Sequence, residues 1–112
     1  MYFIVFLVIC SGCIEPVKSL DSLTGHTIDN ILQRYGNSDK QAEFDGTKAF
    51  PGIGIRRPIA AKFAKVHTDK SNNVVKELTW YGKTATTNIW FHYSNGQWIV
   101  LDAIRWNNNV RF

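Results

Sequence analysis

Cysteine is nearly missing from this chain: of 112 residues only Cys10 and Cys13 are cysteines, and none follows them. A domain that begins at Cys13 has no partner for an internal disulfide, so a hydrophobic core alone must hold it, which about 100 residues can support. The same absence excludes a thiol nucleophile or a cysteine-based zinc site after residue 13. Cys10-Ser11-Gly12-Cys13 has C-x-x-C spacing, but it ends an apolar run and no βαβ pattern follows, which argues against a redox motif. Also missing is any apolar run near the ~20 residues of a membrane-spanning helix; Tyr2 to Cys10 supplies nine. His26, His67 and His92 are far apart, without H-x-x-x-H or H-E-x-x-H spacing. There is no G-x-S-x-G elbow, Gly52-Ile53-Gly54 lacks the third glycine of a dinucleotide loop, and no Walker lysine occurs. No catalytic residue, metal or cofactor is expected, and the histidines read as structural or exposed.

What is present is enough apolar material for one domain. Hydrophobic residues make up 45% of the chain and aromatics 13%, which excludes global disorder. The thirteen Lys and Arg outnumber nine Asp and Glu, and all these charges lie after Cys13, so the mature domain is basic. Along the sequence they are scattered, with Arg56-Arg57 the closest pairing, and this reads as a solvated surface rather than a nucleic-acid site. Trp80, Trp90, Trp98 and Trp106 are expected to fill a small core, not to stack bases.

The nine-residue apolar run has the length of a signal-peptide core. Its ending, Cys10-Ser11-Gly12-Cys13, resembles the lipobox of bacterial lipoproteins. The resemblance implies that residues 1–12 are removed and that Cys13, acylated through its thiol, becomes the mature N-terminus and the attachment to the membrane. The absence of Asp at position 14, where Ile14 stands, leans towards the outer membrane, facing the periplasm, if the source is an enteric bacterium. An unlipidated secretory leader, or a buried strand over residues 1–13, are the alternatives.

Residues 13–23 are expected to form a soluble tether, with Pro16 discouraging helix, and residues 24–112 a single α+β domain. Its fold is expected to be one short N-terminal helix on an antiparallel β-meander of three to four strands. Ile28, Ile31, Leu32 and Tyr35 fall on one helical face; Thr27 can cap the start, Asp29 and Arg34 suit the helix dipole, and Gly36 suits the end. Seven Gly, Pro and Asn breakers between residues 36 and 58 predict a long irregular connection. Residues 59–67 carry both a helical stripe (Ile59, Phe63, Val66) and a strand context, and strand is the expectation. Val74 to Tyr81 and Thr87 to Tyr93 alternate as strands, and Val110 to Phe112 suggest a last short one.

Asn95-Gly96 predicts a two-residue hairpin. Its register would pair Ser94 with Gln97, Tyr93 with Trp98, His92 with Ile99, Phe91 with Val100, Trp90 with Leu101 and Ile89 with Asp102. Both faces would then be apolar, the second bearing Trp90, Ile99 and Leu101. Either the 36–58 connection covers that face, or those three residues offer a docking patch.

Gly25-His26-Thr27 leading into Ile28 to Tyr35, the closing Gly36 and the Trp80-Tyr81 strand resemble small envelope lipoproteins of the SmpA/OmlA type. That resemblance implies an α+β architecture and an envelope location. The functional expectation is a non-enzymatic, membrane-anchored binding or scaffold module with the membrane, through Cys13, and an envelope protein as partners. Two alternatives stay open: an exclusion or inhibitor lipoprotein of a phage or conjugative element, and a small ligand-binding or hydrolytic domain using His67 or His92 with Asp102.

Overall fold

Asn95 and Gly96 have φ of 52° and 79°, the positive values that a two-residue type I′ turn requires, and the two longest strands leave this turn. In the computed structural model, which describes residues 17–48 and 58–110, five strands form one antiparallel sheet in the order β1-β5-β4-β3-β2. They are β1 (Val17–Ser19), β2 (Lys40–Asp45), β3 (Val74–Tyr81), β4 (Ala85–Ser94) and β5 (Gln97–Asn107). Two helices, α1 (Ile28–Tyr35) and α2 (Ile59–Val66), complete the α+β fold. Leader residues 1–12, Cys13 and the end of the suggested last strand, Arg111-Phe112, lie outside the described residues.

α1 forms as its sequence predicts. The Thr27 hydroxyl accepts from the Asn30 amide at 3.2 Å, satisfying one of the first-turn N–H groups. Gly36, at φ 79°, ends the helix and returns its N–H to the Leu32 carbonyl at 2.8 Å. Ile31, 1% exposed, is buried with Leu78, Ile89, Phe91, Val100 and Ala103 on the first face of the sheet.

The hairpin register holds from Ser94–Gln97 to Phe91–Val100 and then slips. Trp90 pairs with Asp102 and Ile89 with Ala103, so Leu101 is an extra residue opposite no partner, a β-bulge. The bulge interrupts the strict alternation of β5. Val100 and Ala103 pack on the first face, while Leu101 packs with Trp90 on the second. Asp102 is therefore not across from Ile89, as an unbroken register requires; it faces the second side, where Lys62 of α2 reaches it.

Three expectations are corrected. Residues 59–66 are helical, not a strand: Ala60, Ala61, Lys62, Ala64 and Lys65 are strong helix formers, and the β-branched Ile59 and Val66 stand only at the ends. The buried stripe of α2 is Ile59 and Phe63, continued by His67 just past its end, whereas Val66 is 48% exposed. The 36–58 connection is not irregular throughout, because Lys40–Asp45 forms edge strand β2 against β3, with Glu43 opposite Lys76 and their side chains 3.9 Å apart. Residues 17–23 are not a free tether. Val17–Ser19 pair with Ile104–Trp106 of β5, a 3-10 turn follows at Asp21–Leu23, and Leu23 is 2% exposed in the first core.

Leu23→Ala separates a folded segment from a tether. Removing this buried side chain is expected to cost about 2–5 kcal/mol of unfolding free energy in a denaturant titration; a change within about 0.5 kcal/mol, as for a solvated residue, contradicts the packing.

Candidate functional site

The polar side chains with potential chemistry collect on the second face of the sheet, under and beside α2. Glu77 and Trp90 lie opposite each other in the β3–β4 register, and the indole Nε1–H donates to Glu77 Oε2 at 2.7 Å. Both residues are buried, at 5% and 0% exposure, and this bond satisfies a donor that would otherwise be costly to bury. One strand step away Asn88 does the same for two neighbours. Its amide donates to Thr79 Oγ1 at 2.8 Å and its carbonyl accepts from Trp106 Nε1 at 2.5 Å.

Asp102 owes its place to the bulge. Its Oδ1 accepts from the Ala103 amide at 3.0 Å and lies 3.0 Å from Lys62 Nζ. Lys62 is a half-exposed side chain lying over the apolar face, its ammonium neutralising a carboxylate that is itself nearly buried.

Beyond the C-terminus of α2, the His67 and His92 Nδ1 atoms are 3.1 Å apart, and the Phe63 ring stacks on His67 with centroids 4.2 Å apart. His67 Nε2 is 2.5 Å from the Asp69 carbonyl oxygen. A carbonyl only accepts, so His67 Nε2 carries the hydrogen; in the neutral ring its Nδ1 is then an acceptor, and His92 Nδ1 is the donor. The contact thus sets both tautomers. It also disfavours protonation of both rings, which would bring two N–H groups face to face. Burial, and after it the charge of His67, hold the His92 imidazole below the usual histidine range. A cavity of about 230 Å³ lined by Thr47, Phe63, Ala64, His67, Lys70 and Asn73 opens beside the pair.

These contacts bear on each residue singled out from sequence. Trp90 and Leu101 do not form a docking patch: at 0% and 5% exposure they are sealed by Ile59 and Phe63 of α2, because a face this apolar needs cover. Ile99 is half-buried, paired with His92 on one side and bridged by Thr27 on the other. His67 and His92 do meet, which their separation of 25 positions gives no hint of. Asp102 bonds Lys62 and the Ala103 amide, and the Nε2 of His67 faces a backbone carbonyl, so these contacts join Asp102 to neither histidine. His26 contributes backbone bonds to β5 through its carbonyl, which accepts from the Val100 amide at 2.8 Å. Among the described residues no three His, Cys, Asp or Glu side chains converge as metal ligands. The signal missed in the sequence is the spacing Ile59-Phe63-His67, which places the histidine on the buried stripe of a helix.

No family model, no curated protein and no solved structure matches the chain.

The lowered His92 pKa has a defined sign in stability. The unfolded chain takes up this proton near the ordinary value of 6.5, and the folded protein does so only at lower pH. The contribution of His92 is therefore complete above that pH and is lost as pH falls through the interval below it. The expected outcome is a lower melting temperature at pH 5 than at pH 7, with a smaller loss in His92→Gln, which keeps a donor for His67 Nδ1. The lowered pKa of Asp69, set by its bonds from Ser71, acts only below 3.8 and stays outside that range. Identical pH profiles for the two proteins would contradict the assignment.

Proposed function

We propose that the chain is a membrane-anchored, non-enzymatic envelope lipoprotein that acts as a binding or scaffold module. The observation that carries this reading is the apolar run Tyr2 to Cys10 followed by Ser11-Gly12-Cys13, which has the length of a signal-peptide core and ends in a lipobox-like thiol. Acylation of Cys13 would give firm attachment once two or more chains insert, each buried CH₂ contributing about 0.8 kcal/mol. Among the described residues no helix is long and apolar enough to cross a membrane, and an acyl anchor needs none.

One structural feature supports the non-enzymatic part of the reading and another the binding part. The buried polar groups of the second face are engaged in holding one another: Trp90 with Glu77, Asn88 with Thr79 and Trp106, Asp102 with Lys62. An open concavity of about 360 Å³ between the start of α1 and the β4–β5 turn, lined by Thr27, Ile28, Asp29, Gly96, Gln97 and Trp98, offers a place for an envelope protein partner.

Intact mass of the protein extracted from membranes tests the anchor. The expected mass is that of residues 13–112 plus acyl chains, and it should vanish in Cys13→Ala. An unacylated mass would remove the anchor and leave a freely secreted protein or an uncleaved leader.

A further inference from the structure

We propose that the end of the sheet at which β1 begins is a membrane-apposition surface, where Lys18, Lys83 and Arg105, flanked by Lys40 and Arg34, hold anionic lipid headgroups. This inference rests on the reading of Cys13 as a lipid anchor and adds which side of the domain that anchor turns towards the bilayer.

Covalent geometry supplies the first step. Cys13 stands four residues before Val17, and four residues of chain span at most about 14 Å. Val17 opens β1 and pairs with Trp106 near the end of β5. β5 has eleven residues and therefore runs for roughly 35 Å. An anchor held within ~14 Å of one end of such a strand keeps that end near the lipid and the Asn95-Gly96 turn far from it.

The fold gathers at this same end the charges that are scattered in sequence. Lys18 lies on β1, Arg105 on β5, Lys83 in the turn from β3 to β4 and Lys40 at the start of β2, opposite Thr79. Arg34 is in the last turn of α1, whose end is fixed here by the Trp80 indole donating to the Gly36 carbonyl. All five side chains belong to exposed residues. Against these five stand two carboxylates among the described residues: Asp39, which accepts from the Tyr81 amide at 2.7 Å, and Asp21, two residues past Ser19 at the end of β1. The opposite end is balanced, with Asp29, Asp45 and Asp69 against Lys48, Lys65 and Lys70.

The pairing of Lys18 with Arg105 is the second observation. They are direct cross-strand partners, and like charges so placed destabilise a sheet. An anionic surface against both turns that repulsion into attraction. Tyr81 and Val17, 57% and 37% exposed, stand at this end as well, and a tyrosine with an apolar body and polar tip suits the headgroup layer. Each basic residue held at such a surface strengthens adsorption by roughly fivefold, an effect confined to about a Debye length.

The test uses the protein as recovered from membranes, in vesicles of phosphatidylcholine alone or containing phosphatidylglycerol. A nitroxide is placed at Thr84→Cys, at the basic end, or at Gln97→Cys, at the opposite end, and its relaxation by a headgroup-chelated paramagnetic ion is read. The expected result is strong relaxation at position 84 and little at position 97 in phosphatidylglycerol vesicles, with the contrast reduced by high salt or by Lys18→Glu with Lys83→Glu. Equal relaxation at both positions, or a contrast that survives charge reversal, overturns the proposal. Recovery of unacylated protein would overturn only the anchor. Flotation then reads the surface itself: binding to phosphatidylglycerol vesicles weaker by at least about twenty-five-fold in the double variant sustains it, and unchanged binding overturns it.

Discussion

A sheet that is apolar on both faces needs cover on both, and this constraint organises the structure. α1 and the 3-10 turn at Leu23 close the first face over Ile89, Phe91 and Val100. α2 closes the second over Val75, Trp90 and Leu101 with only Ile59 and Phe63 fully buried. With so small a cover, close approach matters. Gly46, buried where β2 ends, would place a Cβ 2.8 Å from the Phe63 ring and 2.7 Å from Val75 Cγ2. A glycine lets the Phe63 ring and the sheet close over this position, where a methyl group forces one of them away.

The bulge at Leu101 makes the second face more than an apolar contact. It directs two successive residues to the same side, so Leu101 joins the apolar cluster while Asp102 meets Lys62. α2 is thus fixed near its middle by an ion pair and past its end by the His67–His92 contact. An apolar stripe four residues apart defines which face of a short helix packs and says little about where along the sheet it stops. The two polar contacts supply that register. Protonation of both rings would set two N–H groups against each other at this point, which links the cover on the second face to pH.

Much of this was legible in sequence where signals were local. Thr27, Gly36 and the Ile28-Ile31-Leu32-Tyr35 stripe specify α1, and Asn95-Gly96 fixes the hairpin as far as Phe91–Val100. The failures have physical causes. A bulge leaves alternation intact on one strand and shifts it on the other, so nothing in Trp90 or Leu101 alone announces it. β2 has only Ala42 and Phe44 as apolar alternation, because an edge strand whose other side carries Gln41, Glu43 and Asp45 is built to stay wet there. Over 59–66 the flanking β-branched residues favour a strand and three alanines and two lysines favour a helix, and the helix preference prevails. The contact of His67 with His92 depends on α2 being a helix, so a strand over these residues gives no sign of the histidine pair. Of the residues expected as a docking patch, Trp90 and Leu101 already have α2 as cover, while Ile99 is half-buried beside His92 and Thr27.

With both sheet faces covered, what the domain can offer to others lies at its ends and edges, and these ends differ. The β1 end is basic and bears exposed Tyr81; the hairpin end is balanced in charge and carries the concavity between α1 and Trp98. In that concavity Trp98 is braced rather than free, by an edge-on contact with Tyr93 and by the Lys76 ammonium 4.5 Å from its ring centroid. A rigid aromatic beside an open cleft loses little entropy when a partner meets it. If the basic end rests on lipid, this cleft points away from the bilayer, some thirty-five ångströms along β5 by strand geometry. Such a separation would let one small domain rest on a surface at one end while leaving a preformed cleft accessible at the other.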